Sequence, residues 1–119
     1  IFLTFRSIIA PDLSEDFVRL ATPFGGGLGR SGCICGALSG AVLIIGAARG
    51  RTSAETPKSL SYDISSEYHN RFRLKFGGTC CRVLVRDRFG TKEQSEKCYR
   101  IITESAELLM NFLIEKEIV

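Results

Sequence analysis

A glycine-rich stretch in the first third of the chain most constrains how the chain can fold. Its members are Gly25, Gly26, Gly27, Gly29 and Gly32. Glycine reaches backbone conformations that other residues avoid and weakens helix interiors, so the stretch predicts a flexible turn between helical segments. From about residue 33 to residue 49 the sequence is apolar and small-sided, which predicts a buried central helix. Its most apolar part, residues 37–48, falls short of the roughly 20 residues of a membrane helix.

Apolar residues recur at helical spacing before the glycine-rich stretch as well. Residues 1–9 predict a first helix that stops before Pro11, and Asp12 or Ser14 is the expected N-cap of a second helix. The apolar residues of this second helix are Phe17, Val18, Leu20, Ala21 and Phe24.

Two more helices are predicted after a polar loop over residues 51–59. The helix over residues 61–76 places one stripe on one face, formed by Ile64, Tyr68, Phe72 and Phe76. Gly77 and Gly78 end it, and whether residues 83–85 are extended or helical stays open. Thr91 and Gln94 have the spacing of a capping box that opens the last helix. The inward face of that helix comprises Cys98, Ile101, Ile102, Ser105, Leu108, Leu109 and Phe112.

Together these elements predict an all-α fold, with residues 1–119 forming one domain. The domain is a bundle of about four to five helices, with the glycine-rich turn before a buried central helix. Apolar residues make up 45% of the chain and charged residues 24%, as in compact soluble proteins. The net charge of +3 is too small to indicate a nucleic-acid partner or an anionic membrane, so neither is expected.

Five cysteines in a chain of 119 residues require an explanation. Disulfide scaffolds are typical of shorter secreted chains with few large apolar residues, whereas this chain is rich in Leu, Ile and Phe. The composition therefore favours metal binding or redox chemistry. Cys33 and Cys80 are interpreted as space-filling residues. Adjacent side chains point in different directions, so only one of Cys80 and Cys81 is expected to face a shared centre, and Cys81 is the choice.

Cys35 has the strongest case for chemistry. It lies in the predicted first turn of the central helix, where unpaired amides and the helix dipole stabilise a thiolate. Gly36 and Gly40 should let another backbone approach that helix closely. If the helix has begun by Cys33, the side chains of Cys33 and Cys35 project about 200° apart, so only one of them can reach a shared centre.

Two stretches of the chain resemble the redox-active protein family named for its C_GCAxxG_C_C pattern. Residues 35–40 read Cys-Gly-Ala-Leu-Ser-Gly, and residues 24–30 read Phe-Gly-Gly-Gly-Leu-Gly-Arg. Residues 72–84, which contain Cys81, and the last helix, which contains Cys98, are similar to the family too. The resemblance therefore extends over nearly the whole chain.

The resemblance implies a set of four cysteines, of which Cys35, Cys81 and Cys98 occupy the later three places. No cysteine precedes Cys33, so the first of the four should fall just ahead of Ile1, in a part missing from this chain. Some relatives carry export signals for folded, cofactor-loaded proteins, which implies a prosthetic group. We expect a cytoplasmic protein, with export through a missing leader as the alternative.

Three hypotheses for function follow from the cysteines. In the leading one, Cys35, Cys81, Cys98 and the missing upstream cysteine bind an iron–sulfur cluster or similar soft metal for electron transfer. In the second, Cys35 is a reactive thiol with a depressed pKa, and Cys81 or Cys98 resolves its disulfide. The third is a structural or partner-binding helical module with incidental cysteines. The expected partner is a redox protein or oxidoreductase; enzymatic activity and self-association stay open.

Two other motifs are set aside. Residues 27–32 match the dinucleotide pattern G-x-G-x-x-G, but they follow a helical segment and no strand. His69 is the only histidine in the chain, and a surface or half-buried structural role is expected for it. A triad hydrolase would have to use His69, and no serine lies in a nucleophile-elbow context.

Overall fold

Five α-helices form the framework of the chain in the computed structural model, which describes residues 1–119 apart from the side chain of Asp87. The helices are α1 (Phe2–Ile9), α2 (Gly36–Arg49), α3 (Ser59–Phe76), α4 (Cys81–Leu84) and α5 (Glu93–Glu115). No strand occurs in the described part of the chain. The prediction of an all-α bundle of four to five helices is confirmed.

Helix α2 forms the centre of the molecule and packs against α1, α3 and α5. Its side chains at Ala41, Ile44 and Ile45 are completely buried. A helix that is apolar on most of its faces is most stable when neighbouring elements cover it on every side, because this removes its apolar surface from water. The prediction of a buried central helix is therefore confirmed.

The predicted stripe of α3 lies in the core beside α5. Tyr68 and Phe72 are fully buried, and the Tyr68 and Phe112 rings pack with their centroids 5.3 Å apart. The Tyr68 hydroxyl donates a hydrogen bond to the Ser105 carbonyl at 3.2 Å. Gly77 ends α3 with a φ of 85°, a left-handed conformation that glycine adopts without strain.

The prediction of a regular helix over the second segment is wrong, because the segment forms 3-10 helices. Ser14 does act as a cap, since its Oγ accepts a hydrogen bond from the Asp16 amide at 3.2 Å. The following residues form two short 3-10 helices, Glu15–Leu20 and Thr22–Phe24. Pro23 has no amide hydrogen and cannot continue a regular helix. Phe17 and Leu20 are exposed, so this segment covers the core only in part.

The central helix begins later than predicted. It starts at Gly36, with Cys35 as the N-cap residue, so Cys33 lies before the helix and the predicted 200° separation from Cys35 does not apply. The glycine-rich stretch before it forms one irregular turn, Gly25–Leu28, in which Gly26 and Gly27 have φ values of 67° and 71°. Positive φ favours glycine, which explains the composition of the turn.

The predicted capping box at the start of α5 does not form. The helix begins at Glu93, and the Thr91 hydroxyl donates to the Arg88 carbonyl instead of capping the helix. The Gln94 side-chain oxygen accepts from the Gly90 amide at 2.6 Å, one residue before the amide that a capping box would use. The apolar face of α5 is largely as predicted, although Ile102 is 45% exposed.

Ion pairs join the middle of α3 to the C-terminal end of α5. Arg71 bonds to both Glu67 and Glu115, and Lys116 reaches Glu67 at 2.5 Å. These groups are partly exposed, so solvent weakens each pair. None of the described helices combines the length and the apolar character needed to cross a membrane.

Candidate functional site

Two cysteine-bearing segments lie side by side in the structure. The Cys35 amide donates to the Thr79 carbonyl at 2.8 Å, and the Arg82 amide donates to the Gly32 carbonyl at 3.1 Å. Residues 32–35 and 79–82 therefore run antiparallel, although they are far apart in sequence. The Arg82 side chain adds a hydrogen bond from its Nε to the Ser31 carbonyl at 3.3 Å.

A disulfide between Cys33 and Cys80 crosses these two segments. Cys33 is exposed and Cys80 is half-buried, so the interpretation of both as space-filling residues is wrong. A signal was present in the sequence, because each segment carries two closely spaced cysteines. That signal could not assign the partners, since pairing depends on how the segments meet in space.

The glycines allow the backbone to approach these cysteines closely. A Cβ atom on Gly27 would lie 2.5 Å from the Cys33 amide nitrogen and 3.0 Å from the Cys81 Sγ. A Cβ atom on Gly36 would lie 2.9 Å from the Phe24 carbonyl oxygen, so the predicted close approach at Gly36 exists. Gly40 instead meets the Ile1 side chain at an ordinary distance of 3.7 Å.

One cavity of about 410 Å³ brings the three remaining cysteines together. Cys35, at the start of α2, and Cys81, the first residue of α4, are only 8% and 5% exposed. Cys98, on α5, is half-buried. Apolar side chains complete much of the wall, among them Ile1, Phe2, Phe24, Leu84 and Ile101.

The environment of Cys35 opposes ionisation overall. Burial raises the pKa of its thiol, while the amides of Ala37 and Leu38 lower it in part. Negative charge at Cys98 raises the pKa further, and the neighbouring Cys81 thiol lowers it. The amides thus act as predicted for a helix start, but the depressed pKa expected of a reactive Cys35 is not found, because desolvation outweighs them.

Cys81 is also held in its neutral form. Burial is the largest cause and raises the pKa of its thiol to about 11, and charges on Cys35 and Cys98 act in the same direction. At neutral pH the cavity therefore holds uncharged thiols at Cys35 and Cys81.

The donor chemistry and the geometry of the site give different answers about a metal. Thiolates suit iron–sulfur clusters and other soft metals. Yet among the side chains that the structure describes, no group of three or more His, Cys, Asp or Glu residues is placed to hold a metal ion. The three thiols share a cavity without forming a coordination group.

Cys98 also faces a second, more polar cleft of about 780 Å³. Arg30, Phe89, Gly90 and Gln94 line this cleft together with the glycine-rich turn. The Arg82 guanidinium lies 4.3 Å from the centre of the Phe89 ring. Cys98 is thus common to the inner cavity and the outer cleft, whereas Cys35 and Cys81 line only the cavity.

His69 lies away from the thiols. It is half-buried and lines a separate apolar groove, and its Nδ1 is 3.1 Å from the Asn70 side-chain oxygen. This placement fits the structural role expected of it. The dinucleotide-like glycines follow a 3-10 helix and no strand, so their setting differs from a dinucleotide-binding turn.

The structure is thus a small all-helical fold in which three unpaired cysteines line one cavity. The sequence matches the family described as "Putative redox-active protein (C_GCAxxG_C_C)" over residues 1–112. The chain therefore belongs to this redox-active family. Comparison with curated proteins and with solved structures gave no match.

Proposed function

We propose that the protein is a two-electron redox carrier whose working group is the Cys35–Cys81 thiol pair. The observation that carries the proposal is that these two buried thiols line the same cavity, on elements fixed to each other by the backbone hydrogen bonds of Cys35 and Arg82. Two thiols held close together form a disulfide with little loss of chain entropy.

Oxidation of the pair joins the Cys35 and Cys81 sulfur atoms and releases two electrons and two protons. Because burial keeps both thiols neutral, the protons leave together with the electrons. The electron acceptor is a disulfide on a redox partner protein, which the reaction converts to two thiols. The apolar wall limits the access of water to the pair.

Thiol counting after oxidation tests this proposal. Mild oxidation with diamide should remove two of the three free thiols and leave the native Cys33–Cys80 disulfide unchanged. Dithiothreitol should restore both. Cys35→Ala and Cys81→Ala should each prevent the loss, while Cys98→Ala should preserve it. Three thiols that all remain after treatment would contradict the proposal.

A soft metal centre is the second candidate, because three thiols from three separate elements line one cavity. Charge on Cys98 raises the pKa of Cys35, and charge on Cys35 and Cys98 raises the pKa of Cys81; a bound cation would relieve that repulsion. The sulfur atoms would have to move closer together to coordinate it, since they form no metal-holding group as they stand. An iron–sulfur cluster on Cys35, Cys81 and Cys98 is this candidate in its most specific form.

Cys98 separates the two candidates. Anaerobic reconstitution of the full chain with iron and sulfide, followed by visible absorption and iron counting, measures cluster binding directly. A cluster requires Cys98, so Cys98→Ala should abolish the colour. The thiol pair does not require it. Colourless, iron-free protein that still forms the Cys35–Cys81 disulfide would support the carrier and exclude the cluster.

A further inference from the structure

The Cys33–Cys80 disulfide lies next to the Cys35–Cys81 pair in both sequence and space. Cys80 directly precedes Cys81, and Cys33 lies two residues before Cys35. The backbone hydrogen bonds from Cys35 to Thr79 and from Arg82 to Gly32 flank the disulfide on its two sides. All four sulfur atoms are therefore carried by one pair of clamped segments.

Gly27 adjoins both the disulfide residue Cys33 and the thiol of Cys81. A Cβ atom on Gly27 would lie 2.5 Å from the Cys33 nitrogen and 3.0 Å from the Cys81 Sγ. The backbone of Cys33 and the sulfur of Cys81 therefore border the same point of the glycine-rich turn. The exchange requires side-chain rotations that bring the Cys81 and Cys33 sulfur atoms together.

The two pairs differ in their exposure. Cys33 is exposed and Cys80 is half-buried, whereas Cys35 and Cys81 are both buried. A large reactant can therefore reach the sulfur of Cys33 more easily than the sulfur atoms of the inner pair. The outer pair, Cys33 and Cys80, is therefore accessible to a redox partner, whereas the inner pair, Cys35 and Cys81, is not.

We propose that the Cys33–Cys80 disulfide exchanges electrons with the Cys35–Cys81 pair and so connects the buried thiols to redox partners at the protein surface. This inference rests on the proposed function, since it needs an inner pair that can form a disulfide. It assigns a redox role to two cysteines outside the family's cysteine pattern.

The exchange balances within the chain. The Cys81 thiolate attacks the Cys33 sulfur, a Cys81–Cys33 bond forms, and the Cys33–Cys80 bond breaks. Cys80 leaves as a thiolate and takes up the proton that Cys81 lost. Cys35 then attacks the Cys81 sulfur and releases Cys33, which takes up the proton from Cys35. The inner pair is oxidised by two electrons, and the outer pair is reduced by two.

An external disulfide completes the cycle. It accepts two electrons and two protons from the reduced Cys33 and Cys80 thiols, and it leaves as two thiols while their own disulfide forms again. The reactant is thus a disulfide of the protein or glutathione type, and a free thiol of the same type drives the reverse reaction.

Trapping the cross-linked intermediate tests the exchange. The Cys35→Ser/Cys80→Ser variant keeps Cys33 and Cys81, the two residues that must bond in the first step. The matched control, Cys35→Ser/Cys81→Ser, keeps the native outer pair. After reduction and treatment with diamide, peptide mapping should show a Cys33–Cys81 disulfide that forms within about tenfold of the control rate. Cys33 and Cys81 thiols that stay reduced while the control closes would overturn the inference.

A third variant distinguishes this failure from a failure of the proposed function. Cys33→Ser/Cys80→Ser keeps only the inner pair and Cys98. If this variant forms no Cys35–Cys81 disulfide, the proposed function and the inference fail together. If it forms one while the trapping variant stays reduced, only the exchange is overturned. Far-ultraviolet circular dichroism of each variant shows whether the helices are intact.

The wild-type chain provides a test that does not depend on the folding of any variant. Reduced protein is treated with one equivalent of oxidised glutathione, a hydrophilic disulfide, and quenched at intervals with acid and a thiol-blocking reagent. Fragmentation between Cys80 and Cys81 in the mass spectrometer then assigns each linkage. The Cys33–Cys80 linkage should appear first, and the Cys35–Cys81 linkage should follow at a rate independent of protein concentration. A Cys35–Cys81 linkage that forms before the Cys33–Cys80 linkage would overturn the inference.

Discussion

At Gly27 the backbone has room for a hydrogen atom and for nothing larger. Its φ of 71° disfavours any side chain, and the Cys33 amide and Cys81 sulfur occupy the space where one would project. Gly29, two residues later, has a φ of 64° with no atom near the position of its missing Cβ. The two glycines therefore separate the effect of crowding from that of backbone conformation.

Gly27→Ala should destabilise the protein by about 3 kcal/mol or more, because it combines an unfavourable φ with overpacking against Cys81. Gly29→Ala should cost only about 1 kcal/mol, for its backbone conformation alone. Urea denaturation of both variants measures the difference. Equal losses would show that the turn does not press on Cys81.

The stability of the fold should fall at alkaline pH because of Cys81. Its pKa is about 11 in the folded chain against an ordinary value of 9.0, so the folded state holds the proton more tightly than the unfolded state. The stabilisation is complete below pH 9.0 and is lost as the pH rises toward about 11. Cys81→Ala should lose less stability than the wild type over this interval in urea titrations. Parallel curves for the two proteins would contradict the assignment.

For the cysteines, the sequence indicated which single residues face the cavity, but it did not indicate which two form the disulfide. Adjacent residues point in different directions, so only one of Cys80 and Cys81 was expected to face a shared site, and the structure places the chosen one, Cys81, on the cavity wall. The Cys33–Cys80 bond depends on the antiparallel contact of two distant segments, which no local pattern specifies. The direction of the Cys35 pKa shift was mispredicted for a similar reason, because burial is a property of the whole fold.

Among the helices, α3 depends on one buried polar contact with α5. The Tyr68 hydroxyl is inside the core and donates to the Ser105 carbonyl, and burial raises the pKa of this phenol far above its usual range. A buried donor without this acceptor would lose its hydration with no compensation. The contact therefore fixes how the two helices align.

Tyr68→Phe should destabilise the protein by about 1 kcal/mol, the usual net value of one buried hydrogen bond. Tyr62 lies on the same helix and is exposed, so Tyr62→Phe is the matched control and should leave stability unchanged. Thermal unfolding of the two variants measures both effects. A loss in Tyr62→Phe as large as that in Tyr68→Phe would rule out this explanation.

The regular helices could be predicted because their apolar residues repeat over several turns. The stripe of α3 and the apolar character of α2 specified which faces are buried. The short elements could not be predicted in this way. Pro23 and the exposed Phe17 show that residues 15–24 have apolar content without a regular helix, and the start of α5 is set by the turn at Gly90 and not by a capping box.

In the molecule as a whole, the disulfide joins residues 47 positions apart and ties the start of α2 to the start of α4. A cross-link of this span restricts the unfolded chain strongly. Cys33→Ala/Cys80→Ala should therefore lower the free energy of unfolding by about 2–4 kcal/mol. Urea denaturation measures the loss, and dithiothreitol should produce a similar loss in the wild type and none in the variant. A variant as stable as the wild type would show that the disulfide does not stabilise the fold.

The position of Cys98 between the inner cavity and the outer cleft sets an order of chemical modification. Reagents that arrive through the cleft meet the Cys98 thiol before the two deeper ones. A single bulky maleimide adduct at Cys98 would stand between the cleft and the cavity. It would therefore slow the reaction of further reagent from the cleft with Cys35 and Cys81.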